Sequence, residues 1–283
     1  MSESAARVEH VSEGLVADGQ ERGPAARREQ VRQRVLAEGF ARLDDLARQF
    51  NVSLMTMHRD VDALEADGWL TKIRGGATAN PYALVDAGVP ERMAALGAEK
   101  AAICRLAAEM LRHGQTIFLD DSTTGLGLVP HLIAHQPITL ATNFLPVVEA
   151  LDAEAGGEAA VDLHLLGGQY RPRSRACVGL QTVEAIGRLH ADVFFMSTTA
   201  VTDGKCLHRS EETVMVRRAF MDNAAHKVLL VDHAKFGRQA AHVLCRIDEF
   251  DVVVTDAGID PRDLADLRAQ CADVRVAEIT AAT

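Results

Sequence analysis

The stretch that most constrains this chain runs from Leu43 to Gly76. Leu43, Leu46, Ala47 and Phe50 recur at helical spacing, so a short amphipathic helix ends near Phe50. Ser53 follows at once with a run of period near 3.6 behind it. Its side-chain oxygen can accept from the amide of Thr56, which predicts a helix N-cap and a second helix across a very short turn. In that helix Leu54, Met57, Val61 and Leu64 fall on one stripe and are predicted to be buried, while Met55, Thr56, His58, Arg59 and Asp62 occupy the other faces. Gly68 tolerates positive φ and ends the helix, and Trp69 to Arg74 reads as a short β wing turned by Gly75-Gly76. A helix-turn-helix needs this division, because the first turn of its recognition helix offers polar and basic side chains to the DNA major groove. Ser53, Met55, Thr56, His58 and Arg59, with Lys72 and Arg74 from the wing, are the candidate DNA contacts. The plainer reading is a small helical hairpin with a solvated basic edge.

Arg28 through Ala79 resembles the winged helix-turn-helix of the DeoR family of bacterial transcription regulators. The resemblance is carried by Leu46-Ala47, Phe50-Asn51-Val52-Ser53, Thr56, Arg59-Asp60, Leu64-Glu65, Gly68 and Arg74-Gly75-Gly76-Ala77. Met57 and Val61 stand where the family usually has isoleucine and leucine, both conservative packing changes.

A net charge of −10 argues against DNA binding until it is counted by segment. Residues 1 to 23 hold two basic and five acidic residues, and residues 24 to 80 hold nine basic and eight acidic, so the remaining −8 lies beyond residue 80. A modestly positive head can bind DNA if its cations share a face, while an acidic body discourages non-specific sticking. No apolar run approaches the length of a membrane span, and the start, with Glu3, Glu9, Glu13 and Asp18, lacks the pattern of a signal peptide. A cytoplasmic protein without membrane contact is expected. The five cysteines are far apart and never form Cys-x-x-Cys, which suits reduced thiols rather than disulfides or zinc. His131 and His135 share a helix face, but no third ligand or carboxylate lies nearby in sequence, so neither metal nor cofactor is expected.

In order, residues 1–23 read as a disordered tail, 24–79 as the winged head, 80–97 as a linker and 98–283 as an effector-sensing and oligomerisation domain. The head opens with a helix from Arg27 to Glu38, its Val31, Val35 and Leu36 facing inward and Gly39 stopping it. In the linker, Asn80-Pro81 and Val89-Pro90 mark extended or turn backbone. Beyond it, apolar runs at Thr116 to Leu119, Ile138 to Ala141, Val161 to Leu166, Val193 to Met196, Val228 to Val231 and Val252 to Thr255 alternate with helical patterns. That alternation predicts an α/β domain with a mostly parallel sheet covered on both faces.

Ligands of such sheets bind beyond the carboxyl ends of the strands, so the residues after each run are the candidates. Asp120-Asp121-Ser122-Thr123-Thr124 enters a helix; its amides and hydroxyls can hold an oxyanion, and its carboxylates suit sugar hydroxyls or a helix cap. Thr142-Asn143, Gly167-Gly168 with Arg171, and Asp232 with Lys235 follow other runs. Lys235 and Arg171, with Arg173 or Arg175, are the cations a phosphate needs.

The same segments, together with Val178-Gly179 and Asp232-His233-Ala234-Lys235-Phe236-Gly237, resemble the DeoR effector domain, related in fold to ribose-5-phosphate isomerases and CoA-transferases. The resemblance implies a regulator, usually a repressor, that senses a phosphorylated sugar or sugar-derived metabolite and binds operator DNA. Asp121 stands where the family often has serine and Arg217 where it often has lysine. The rival class is an isomerase- or transferase-like enzyme with a fused head, for which Asp120, Asp121 and Glu212 could supply a base. A homodimer or homotetramer held through the large domain is expected, because one recognition helix reads only a few base pairs.

Overall fold

A computed structural model of the chain describes residues 23–80, 88–155 and 161–279. Most of the expected tail, residues 1–22, lies outside the described residues, as does the linker stretch 81–87. The head begins with α1 (Pro24–Glu38), then β1 (Phe40–Arg42), α2 (Leu43–Gln49), α3 (Leu54–Ala66), β2 (Leu70–Ile73) and β3 (Gly76–Ala79). Val31, Val35, Leu43, Leu46, Met57, Val61 and Leu64 close one small core, as the helical spacing predicts. Leu54 departs from the stripe and is 44% exposed, because the first residue of α3 projects past the edge of that core rather than into it. Gly68 has φ +80°, so the chain can leave α3 into the wing without the steric cost a side chain would carry there. The wing is the expected β2–β3 hairpin, and β1 adds a third, antiparallel strand that the sequence pattern did not indicate.

Between head and body stands α4 (Val89–Ala94), where extended or turn backbone was expected. Pro90 lies in its first turn, where a missing N–H costs no helical hydrogen bond.

The body is built on seven parallel strands in the order β15–β14–β12–β9–β4–β5–β6. These are β4 (Thr116–Leu119), β5 (Ile138–Thr142), β6 (Val161–Leu165), β9 (Ala191–Met196), β12 (Ala224–Leu230), β14 (Val252–Asp256) and β15 (Asp273–Ala277). Helices α5 (Gly97–Ala107), α6 (Val129–Ala134), α7 (Leu145–Ala155), α8 (Leu180–Ile186), α9 (Glu211–Asp222) and α10 (Pro261–Gln270) supply the connections. Alternate side chains of one strand enter opposite cores. Ile117 and Leu119 pack with Ile103, Phe144 and Phe195, while Phe118 packs on the other side with Phe194 and Phe220 at ring separations of 6.5 and 5.0 Å.

Two short antiparallel pieces lie outside this sheet: the hairpin of β7 (Gln169–Arg171) with β8 (Ala176–Val178), and the order β10–β11–β13 formed by Ala200–Thr202, Lys205–His208 and His242–Arg246. The chain lays down β4, β5 and β6 in one direction, then returns to place β9, β12, β14 and β15 on the other side of β4. The carboxyl ends of β4 and β9 therefore flank the point where the strand order reverses, the position at which open α/β sheets hold their ligands.

Candidate functional site

On the head, the Ser53 Oγ accepts from the Thr56 amide at 3.1 Å, so α3 starts where the capping pattern predicts. Ser53, Met55 and Arg59 are exposed, and Thr56 and His58 are partly so. Together they form one open face at the start of α3. Arg74 is exposed at the tip of the wing. Lys72 is less available, because its ammonium pairs with Asp62 and its amide donates to Glu65 at 2.7 Å. A contact that sequence reading missed fixes this face: the Arg27 Nε donates to the nearly buried Asp60 carboxylate at 2.6 Å, tying α1 to α3.

At the β4/β9 junction lies a cavity of about 330 Å³. Asp121, Ser122, Thr123 and Thr124 reach it from the turn after β4, Ser197 to Thr199 from the end of β9, and Ser210, Glu212, Thr213 and Arg217 from the start of α9. Lys235 and Arg238 enter from the loop after β12, Arg171 and Arg173 from the β7–β8 hairpin, Arg209 from the loop before α9, and Arg92 from α4. Seven cationic side chains thus face two carboxylates on the lining, Asp121 and Glu212. Hydroxyls line the same wall. Of these cations Arg217 and Arg238 are buried, whereas Arg171 and Arg173 stand at the open side of the cavity.

The floor is a buried ion cluster. Arg217, 3% exposed, donates to Asp121 from Nε at 3.2 Å and from Nη2 at 2.9 Å, and from Nη1 to the Ser197 carbonyl at 2.7 Å. The two substitutions that the sequence reading singled out in the body, Asp121 and Arg217, therefore meet each other, a fork-shaped cation against a carboxylate. Asp120 is fully buried; it accepts from the amides of Ser122 and Ser197 at 3.1 Å each and lies 3.2 Å from Arg217. Burial pushes the Asp120 carboxyl up, against the pull of Arg217. Burial opposes the charge of Asp121 as well, but Arg217 and the neighbouring cations hold it below the usual carboxylate range. His208 on the wall is pushed down to about 3 by burial and by Arg217, so it is neutral at physiological pH. Burial also lowers Lys235, with Asp232 opposing that shift.

Of the effector candidates, Asp121, Ser122, Thr123, Thr124, Arg171 and Lys235 come together on the lining. The others take supporting places. Asp120 lies under the floor. The Thr142 Oγ1 accepts from the Phe144 amide at 3.2 Å, and the Asn143 Nδ2 donates to the Cys177 carbonyl at 2.8 Å, so both hold the loop after β5. Gly168 has φ +155°, and a Cβ there would stand 2.1 Å from the Thr182 Oγ1, so it is a close-packing position. Asp232 lies behind Lys235, beside Lys100 and Arg92 around a small neighbouring void. Among the alternative cations, Arg173 reaches the lining, whereas Arg175 pairs with Glu149 and does not. Arg92, Arg209 and Arg238 were missed: they lie in the linker or in irregular loops far apart in sequence, and only the tertiary fold joins them. His131 and His135 belong to no cluster of three or more potential metal ligands among the described residues, and the cysteines are free thiols.

An exposed polar helix face on a winged head, joined to an α/β body with a cation-lined cavity, is the arrangement of a DNA-binding regulator. Comparison with known proteins gives the same result. A family model described as the DeoR C terminal sensor domain matches residues 97–257, and one described as the DeoR-like helix-turn-helix domain matches residues 27–82. The chain belongs to the DeoR family of transcription regulators. It is 32% identical over 231 residues, 81% of this chain and 91% of the relative, to the lactose phosphotransferase system repressor of Staphylococcus epidermidis. It is 31% identical over 224 residues, 79% and 87% of the two chains, to the glycerol-3-phosphate regulon repressor of Escherichia coli. Among solved structures, ribose 5-phosphate isomerase A from Methanocaldococcus jannaschii matches with 14% identity and a TM-score of 0.34 over 48% of this chain and 53% of the other, too weak a match to carry an argument. No helix among the described residues is long and apolar enough to cross a membrane.

Proposed function

We propose that this regulator represses a carbohydrate or sugar-alcohol catabolic operon in the cytoplasm and leaves its operator when a phosphorylated sugar or polyol enters the cavity. The carrying observation is the surplus of cations over carboxylates around a 330 Å³ space whose remaining wall is largely hydroxyl. A phosphate dianion would meet Lys235 and the guanidinium groups, and sugar hydroxyls would meet Ser122 to Thr124 and Ser197 to Thr199. The names of the two relatives, one linked to a sugar phosphotransferase system and one to glycerol 3-phosphate, support the same ligand class. DNA contact falls to Ser53, Met55, Thr56, His58, Arg59 and Arg74, with a smaller share for Lys72. Segments 24–79, 80–97 and 98–283 act as head, linker and sensor.

The protein acts without turnover. Asp120 and Asp121 already share Arg217, and Glu212 forks with Arg171 at 3.0 and 2.5 Å, so none of the three is left as a base. A homodimer or homotetramer held through the body would present paired recognition helices to a symmetric operator. The test is a thermal-shift screen of sugar and polyol phosphates, followed by titration of the operator complex with any compound that raises the melting temperature. A stabilising compound that releases the operator unchanged supports the reading; conversion of the compound into product overturns it.

A further inference from the structure

Helix α4 touches both functional regions. On one side Arg92 lines the cavity, and its carbonyl accepts from the Lys100 ammonium and, at 3.4 Å, from the hydroxyl of Thr123 in the cavity turn. On the other side Glu91 accepts from the Arg32 Nη2 on α1 at 3.3 Å, and the Arg32 guanidinium lies 4.0 Å above the ring of Trp69 at the base of the wing. Ala95 packs with Leu36 of α1, Trp69 and Ala79 in a small cluster. Consecutive residues of one six-residue helix thus hold the sensor and the head.

We propose that α4 is the transmitting element, in which an anion engaging Arg92 shifts the helix and the Glu91–Arg32 pair carries the shift to α1 and Trp69. The inference rests on the cavity being the effector site. In the structure the Arg92 Nε is buried without a hydrogen-bond partner among the described residues. Arg217 and Arg209 repel the Arg92 charge while Asp121 attracts it. An anion between these cations turns repulsion into shared attraction and gives Arg92 a charge-assisted partner, so it binds one position of α4 better than another. Because α4 is short and clamped at both ends, a change at Arg92 cannot be absorbed within the helix and must reach Glu91.

Trp69 is the only tryptophan in the chain, so its fluorescence reads the head end directly. The experiment uses the full chain, inorganic phosphate and glycerol 3-phosphate as probes, and chloride at matched ionic strength as control. The parent should show a higher melting temperature and a changed Trp69 emission with at least one probe. Glu91→Gln should bind that probe within about twofold of the parent yet lose the emission change, whereas Glu91→Asp, which keeps a carboxylate charge toward Arg32 and leaves the stack on Trp69 in place, should retain it. Arg92→Met should weaken probe binding by about tenfold. A Glu91→Gln protein with the parent's full emission change, or a parent stabilised by a probe with no change at Trp69, would overturn the coupling alone. If neither probe stabilises the parent, the anion-cavity reading falls and the coupling falls with it.

Discussion

Arg59 on the recognition helix stands exposed, with no ion pair among the described residues, while Arg217 under the cavity is 3% exposed and spends its guanidinium on Asp121, Asp120 and the Ser197 carbonyl. The head offers solvent-exposed charges to a long polyanion, whose phosphates attract from a distance and are screened by salt over about 8 Å. At the cavity floor the Arg217 guanidinium is instead held in one orientation by Asp121, Asp120 and the Ser197 carbonyl. The same residue type is therefore locked into a buried ion cluster in one region and left open to solvent in the other.

Arg217→Met should widen this contrast most. It leaves two buried carboxylates without their shared cation, and unfolding in urea should report a loss of about 3 to 5 kcal/mol. Next in size, Lys235→Ala should cost effector binding about 2 to 3 kcal/mol by calorimetry, while operator affinity stays at the parent's value. An operator complex of this variant that still dissociates at the parent's effector concentration would show the phosphate to be held by other groups, such as Arg171 and the Ser122 to Thr124 turn. Arg59→Ala should leave stability within about 0.5 kcal/mol of the parent. It should cost operator binding about 1 to 3 kcal/mol, with relaxed base preference if Arg59 reads a base and a uniform loss if it meets a phosphate.

The smallest effect concerns acid. His208 stays neutral in the fold down to about 3, whereas an unfolded histidine takes its proton near pH 6.5. Between those values the unfolded chain binds more protons, so this contribution to stability is complete above pH 6.5 and is lost as pH falls. From pH 7.5 to 5.5 the loss is about 1.4 kcal/mol, and denaturation curves of His208→Asn should lack that part of the slope.

The head was legible because its signals are local. A cap and its amide lie three residues apart, the buried stripe lies within one helix, and Gly68 lies beside the turn it permits. Leu54 misled because periodicity assigns a face but not the place where the core ends. In the body the apolar strands β4, β5, β6, β9, β12 and β14 were legible for the same reason, whereas β7, β8, β10, β11, β13 and the edge strand β15 are short and mixed in polarity, so no apolar run marks them. The turn after β4 announced itself by composition. Arg92, Arg209 and Arg238 could not, since a lone arginine in a loop looks solvated until the fold gathers it. Thr142, Asn143 and Gly168 carry the opposite lesson: a residue after a strand can be there to hold its own loop.

The junction between β4 and β9 also sets an order in time. Asp120 and its partner Ser197 are separated by 77 residues, so during synthesis the sensor cannot close until most of the body has left the ribosome. The head, whose main core is closed by residues between Val31 and Ala77, needs none of that material and has a folding unit of its own much earlier. For the interval between those events, a growing chain carries a reader of DNA before it carries the means to be told to let go.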